Sequence, residues 1–241
     1  MTARQVYEYA LIELNKKQAP SLLLEDYIYF INKVIQQFVN KKYNPYDLNQ
    51  QIDDDLAVLR VLDYAIELSL NGNYYSGFLP SADNEALPYL HMLNCKVVFQ
   101  ATKSFGCYKL GDTFEKSASR LHSSAARRVE DNHYFKSSYK NPYFYRDGIN
   151  LEIRSGKTDL MTPVIAYIDY LRIPTPVTLT QDEIDEVVDN SQILEFPEYV
   201  CQEILNDLVK LLLENSSDPR LQTNIPINQS IASPMQETQR R

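Results

Sequence analysis

Apolar positions recur along the chain with two different periods. Val6, Ala10 and Leu14 share one helical face, and Thr2 stands where an N-cap belongs, so residues 3–17 are predicted helical. Pro20 breaks that run, and Ser21 can cap the next. Leu24, Ile28, Ile31, Ile35 and Phe38 then form one apolar stripe, which Asn44-Pro45 ends. The two segments predict a helical hairpin. A third helix is predicted after Pro197, with Val200, Ile204, Leu208, Leu211 and Leu212 as its stripe, ending near Asn215.

Between the helices the period changes to two. Leu62, Tyr64, Ile66, Leu68 and Leu70 alternate with Asp63, Ala65, Glu67 and Ser69, as a strand requires. Leu93, Cys95, Val97, Phe99 and Ala101 alternate in the same way. Ile149, Leu151 and Ile153 alternate with Asn150, Glu152 and Arg154. A turn at Ser155-Gly156-Lys157-Thr158-Asp159 and a β-branched run over 160–171 predict a hairpin, its second strand buried on both faces. The fold class expected is α+β: an N-terminal helical hairpin and a C-terminal helix packed as a small bundle, with an inserted antiparallel β module and a long aromatic loop. Residues 1–45 and 196–216 form the helical core, and 46–180 the β-rich module with its loop at 120–147. Residues 181–195 form an acidic linker. Residues 217–241 form a polar, flexible tail with too few large apolar side chains to fold alone.

Charge sharpens this picture. The net charge of −8 argues against a dedicated nucleic-acid binder, which needs a basic face to displace counterions. The charge is also segregated. Residues 120–146 carry Arg120, Arg127, Arg128, Lys136, Lys140 and Arg146 against Glu130 and Asp131. Residues 182–198 carry seven acids and no base, among them Asp182, Glu183, Asp185, Glu186 and Asp189. Cys95, Cys107 and Cys201 are far apart and form no CxxC, which reads as buried free thiols in a reducing compartment. The N-terminal residues MTARQVYEYA lack the apolar core of a signal peptide, and no apolar run reaches membrane-spanning length, so a soluble protein made in the cytoplasm is expected.

Candidate chemistry is thin. Gly156-Lys157-Thr158 has the end of a phosphate loop, but the required earlier glycine is Leu151. Asp53-Asp54-Asp55 lacks the alternation of a calcium loop and reads as a solvated turn or helix start. His91, His122 and His133 fall at no metal-ligand spacing, and no nucleophile has a partner in sequence. No catalytic, metal or cofactor residue is assigned.

The stretch HYFKSSYKNPYFYR, residues 133–146, mixes rings with cations. Such a segment can stack on bases, pack within its own domain, or supply the core of a protein interface. The interface reading is preferred, because a long aromatic loop left in water is a liability. Tyr134, Phe135, Tyr139, Tyr143 and Tyr145 are expected at subunit contacts, with Lys136, Lys140 and Arg146 at the rim and Phe144 packed into its own domain.

The order and texture of several segments carry a family resemblance. These are TARQVYEYALIEL with SLLLEDYIYFINKVIQQFVNKKYN, LPYLHMLNCKVVF, RRVEDNHYFKSSYKNPYFYRDG running into INLEIRSG, and IAYIDYLRIPTPVTL with EFPEYVCQEILNDLVKLLLENSSDPRLQ. Together they span most of residues 3 to 222, and the chain resembles the head–tail connector, or neck ring, proteins of tailed bacteriophages, most like those of crAss-like phages of Bacteroides. The resemblance implies a virion structural protein without active-site residues. It implies a homo-oligomeric ring, typically twelvefold, between portal and tail, in contact with the portal protein and neighbouring rings, with DNA passing through the lumen. The chain departs from small adaptors, which are mostly helical, by its β module. Contacts of Arg127, Arg128 or Lys136 with the Asp182–Glu198 stretch of the next subunit are expected, as is ordering of the tail on a neighbour. The alternatives are a nucleic-acid-binding module using residues 120–146 and, ranked below it, an enzyme with a site assembled from scattered residues.

Overall fold

The computed structural model describes residues 1–14, 22–43, 50–81, 87–122, 136–156, 160–185 and 191–215. The fold is mixed α+β and divides into two compact units, 1–58 with 174–241, and 59–173. The insertion is therefore bounded at 59 and 173, where the sequence had suggested 46 and 180.

In the helical unit, α1 (Ala3–Glu13) is started by a reciprocal cap. The Thr2 hydroxyl accepts from the Gln5 N–H at 3.2 Å, and the Gln5 side chain accepts from the Thr2 N–H at 2.9 Å. Helix α2 (Leu24–Tyr43) buries Tyr27, Ile31, Val34, Ile35, Phe38 and Val39; of the five positions read from sequence, Leu24 and Ile28 are only half-buried. The Tyr27 hydroxyl donates to the Ala3 carbonyl at 2.8 Å, and its ring meets Tyr7 edge-on at 5.0 Å. Helix α3 (Gln50–Leu56) follows, then a 3₁₀ turn over Ala57–Leu59. Helix α4 is a single turn, Gln181–Ile184, and α5 (Glu198–Asn215) packs on α2 and α1.

The chain that returns to the helices is more than a linker. Val177 exchanges two bonds with the Asn32 amide, at 2.7 and 3.0 Å. Ala3 N–H donates to the Gln192 carbonyl, Leu194 N–H donates to the Met1 carbonyl, and Leu194 and Phe196 are buried. Of the stretch expected to be an acidic linker, residues 191–195 are thus docked on α1, because Leu194 has an apolar side chain to bury and the start of α1 has a free backbone edge.

The β unit holds two sheets that share one core. One has the order β1 (Arg60–Glu67), β9 (Met161–Arg172), β4 (Tyr89–Ala101), β5 (Thr113–Ser117). The other runs β2 (Ser69–Asn71), β3 (Tyr74–Phe78), β8 (Asn150–Arg154), β7 (Tyr143–Asp147), β6 (Ser119–Arg120). Cys95, Val97, Phe99, Ala166 and Ile168 of the first sheet join Phe144, Leu151 and Ile153 of the second.

Several expectations are corrected here. Strands β8 and β9 are not a hairpin: β8 pairs with β3 and β7, whereas β9 pairs with β1 and β4. The hairpin is β7–β8, closed by Gly148 and Ile149, with Gly148 at φ +58 where a β-carbon would be strained. Ile149 is therefore a turn residue and 62% exposed. The module is also not wholly antiparallel, since β6 runs parallel to β7. Leu62 is exposed because the β1 register shifts between Val61 and Tyr64, with Asp63 at φ +51. A second shift in β4, between Met92 and Asn94, moves the buried phase from Met92 to Cys95. Both irregularities face Asp169 of β9, whose carboxylate accepts from the Asp63 N–H at 2.9 Å and the Asn94 amide at 3.3 Å. Cys95 and Cys201 are buried as expected, but Cys107 is exposed, because it lies in the turn between β4 and β5.

Gly77 is set by close packing. A β-carbon there would lie 2.2 Å from Ile66 Cγ2 and 2.7 Å from the Glu67 carbonyl oxygen. Gly77→Ala is expected to lower stability by about 1–3 kcal/mol through overpacking. Urea unfolding checks this, and an unchanged midpoint contradicts the close approach.

Candidate functional site

The residues predicted for an interface divide into three groups. Arg127, Arg128, Tyr134, Phe135, Glu186 and Asp189 lie outside the described residues, as does the tail. Lys136 and Lys140 are exposed, and the Lys140 ammonium lies 5.8 Å from the Tyr139 ring centroid. The third group packs within its own unit. Tyr139 joins an aromatic cluster, its centroid 6.3 Å from Phe105 and 6.4 Å from Phe114, with Tyr108 beside both. Part of the Tyr139 ring is thus covered within its own unit by Phe114 of β5, and the ring remains half-buried. Tyr145, expected at a subunit contact, packs within its own unit. It is buried, and its hydroxyl bonds to the buried Glu152 carboxylate directly across the β7–β8 ladder. Arg154 donates to the same hydroxyl at 2.9 Å. Burial, and then the bond to Glu152, push the Tyr145 phenol up. Tyr143 is half-buried and its hydroxyl accepts from Asn141 at 2.7 Å, while Phe144 lies in the core as expected.

What the basic segment does build is a cleft of about 220 Å³. The parallel pairing of β6 with β7 sets Arg120 beside Phe144, and a Leu121 N–H bond to the Phe144 carbonyl, 2.8 Å, carries the pairing toward His122. The start of β4 supplies the other wall with Tyr89, His91 and Met92. Arg120, Arg146, His91 and His122 thus line one space, and no carboxylate lines it among the described residues. Arg146 is held in place: its Nε donates to the Gly148 carbonyl at 2.7 Å, and its guanidinium lies 5.1 Å from the Tyr89 ring centroid. Burial, and then the nearby Arg120 and Arg146, push the half-buried His91 below its ordinary 6.5. Two guanidiniums lining one space have the chemistry to accept an anion. His91, His122 and Tyr89 were not assigned from sequence, because residues 89–91 and 120–146 come together only through strand pairing.

On the acidic side, Asp182, Glu183 and Asp185 lie at α4. Glu183 folds back to accept from the Thr180 N–H at 2.6 Å and the Thr180 hydroxyl at 2.9 Å. Asp185 accepts from the Gln181 amide at 3.1 Å, and Asp182 projects into solvent. The Asp53–Asp55 run reads differently in three dimensions. Asp55 is 1% exposed, not solvated, and its carboxylate sits 3.0 Å from the Lys42 ammonium, which also meets Glu203 at 2.9 Å. Burial pulls Lys42 down, but its bonds to Glu203 and Asp55 outweigh this and raise it. This cluster joins α2, α3 and α5 and is structural. A shallow groove of about 200 Å³ between α2 and α5 has mixed charge, Lys41 and Lys210 with Asp207 and Glu214, and no convergent chemistry. No group of three metal-binding side chains occurs among the described residues, and none of their helices is long and apolar enough to cross a membrane.

Two measurements check these assignments. Lys42→Met strands the Asp55 carboxylate in the core and is expected to cost about 3–5 kcal/mol. Adding Asp55→Leu should recover much of that loss in a double-mutant cycle, and purely additive losses would contradict the pairing. Because the folded His91 pKa is depressed, the unfolded chain takes up the extra proton first. Stability from this group is present above about 6.5 and falls as pH drops below it, until the folded form also protonates. Thermal unfolding from pH 8 to pH 5 should show that loss, and His91→Gln should reduce it.

Set against known proteins, the chain matches no protein-family model and no curated protein.

Proposed function

We propose that the chain is a structural subunit of a tailed-phage neck, one copy of a homo-oligomeric, twelvefold ring that joins portal to tail around the DNA channel. The observation that carries this reading is the separation of unlike charge on one chain. The β unit presents a cleft with two arginines and two histidines, and the helical unit presents the acidic stretch that begins at Asp182. Head-to-tail rings need two different complementary surfaces on every subunit. Phe78 and Ile149 support the same reading. They are 74% and 62% exposed, and Leu79 N–H donates to the Ile149 carbonyl at 2.9 Å, so two large apolar side chains stand in water at neighbouring strand ends.

In this reading the helical unit, with its α1, α2 and α5 bundle, is the connector core. The β unit with its aromatic 120–147 segment makes lateral contacts, and the protein acts in the virion without catalysing a reaction. The negative net charge suits a channel through which a duplex slides without sticking. A nucleic-acid-binding module is the second reading, favoured by one observation: Arg120, His122 and Arg146 of the basic segment converge on a single cleft.

Mass photometry of the purified chain, alone and with portal protein, tests the proposal together with titration of mixed-sequence duplex DNA at several salt concentrations. A ring subunit gives a discrete oligomer and little DNA binding. A monomer under both conditions, with DNA affinity that falls steeply as salt rises, would support the second reading instead.

A further inference from the structure

We propose that the turn between β4 and β5, with Tyr139 and Lys140 beside it, is a face on which a second copy of this chain docks. The inference rests on the ring reading and gives that ring one of its contact surfaces. Phe105, Tyr108, Phe114 and Tyr139 are half-buried at the margin of the β unit's core. They lean on one another: Tyr108 lies 5.4 Å from both Phe105 and Phe114, and Tyr139 lies 6.3 and 6.4 Å from the same two. Leu110, in the same turn, is 69% exposed. Apolar surface gathered in this way is stabilised by a partner that removes it from water.

Cations border this surface. Lys109 follows Tyr108, and Lys116 lies two places from Phe114 and so on the same side of β5. The Lys140 ammonium lies 5.8 Å from the Tyr139 ring centroid. All three lysines are exposed, and none is in an ion pair among the described residues. Two acids share the turn and strand. Asp112 is turned back on the Lys109 N–H at 2.7 Å, and Glu115 stands on the side of β5 opposite Phe114. An aromatic centre with a polar rim is the composition of a protein interface.

The occupant follows from charge. The face is basic while the chain carries −8, so the remainder of a second copy holds an even larger excess of carboxylate. Two bodies of that net charge repel, and a basic face turned to the neighbour offsets the repulsion. Nucleic acid is a poorer occupant. One side of Phe114 is already taken by Phe99, stacked at 5.3 Å, and the Leu110 side chain offers a phosphate nothing.

Cys107 supplies the test, because it is exposed in this turn whereas Cys95 and Cys201 are buried. A minority of chains labelled there with a benzophenone maleimide is mixed with unlabelled chain and irradiated alone, with portal protein, and with a short mixed-sequence DNA duplex. A chain-to-chain crosslink is expected in the oligomer, with its far end mapping to an acidic stretch of the second copy. By mass photometry, Leu110→Asp and the combined Lys109→Glu, Lys116→Glu and Lys140→Glu variant are each expected to weaken assembly by about tenfold or more. Near-ultraviolet circular dichroism confirms folding, and the exposed lysines keep the test open if Leu110→Asp misfolds. An oligomer that forms at full strength in both variants, or that gives no chain-to-chain crosslink, overturns this contact and leaves the ring reading in place. So does a crosslink to portal protein or to DNA instead of a second copy. A chain that stays monomeric with and without portal protein overturns both.

Discussion

The β unit depends on the pairing of its first strand with its last. Arg60 faces Leu171 and Val61 faces Tyr170, so the chain enters and leaves the insertion on adjacent antiparallel strands. An element whose ends are close can be placed between two helices without distorting either side. The same strand, β9, also pairs with β4 over most of its length and lies at the centre of its sheet. Asp169 on β9 then holds the irregular stretches of both neighbours, accepting from Asp63 on one side and Asn94 on the other. Without those shifts the alternation of β1 and β4 would run out of phase with the shared core.

The helical unit is joined by polar contacts as much as by its apolar stripes. Lys42 stands between Asp55 and Glu203 and binds three helices into one arrangement. Such a cluster adds little net stability over well-packed apolar side chains, but it penalises any packing that separates its members. The returning strand adds direction, because Asn32 pairs with the Val177 backbone and Gln192 and Leu194 pair with the start of α1. The stretch between the two units' chemistry is thus anchored where it carries apolar residues and presents carboxylates where it does not.

The basic aromatic segment divides its labour in a way that residue types alone do not reveal. Its described rings mostly turn inward, with Phe144 in the core, Tyr139 against Phe105 and Phe114, and Tyr145 over Glu152. Among its described cations, Arg120 and Arg146 are exposed and line the cleft with His91. An aromatic side chain loses more by staying in water than a guanidinium does, so neighbouring positions in one segment separate by solvation. What the segment offers to a partner is therefore chiefly charge in a shaped space.

The sequence by itself determined the long helices and the strands at β1, β4, β8 and β9, but not α3, β3 or β5, and it read β7 as part of a loop and β1 with β2 as one strand although they lie in different sheets. The helical stripes, the Thr2 cap, the alternating strands, the mixed α+β class and the segregation of charge are all local patterns with periods of 3.6 or 2, and those periods are readable wherever burial is one-sided. Only the tertiary structure decided which strands are neighbours. The β8–β9 hairpin failed because a turn signal shows that the chain reverses, not that the two strands stay in one sheet. The burial of Asp55 and Glu152 was invisible because a carboxylate looks solvated until Lys42 or Tyr145 is seen beside it. The cleft was invisible for the same reason: Tyr89, His91, Arg120 and Arg146 are brought together by hydrogen bonds between strands, and long-range pairing leaves no periodic trace in any one segment.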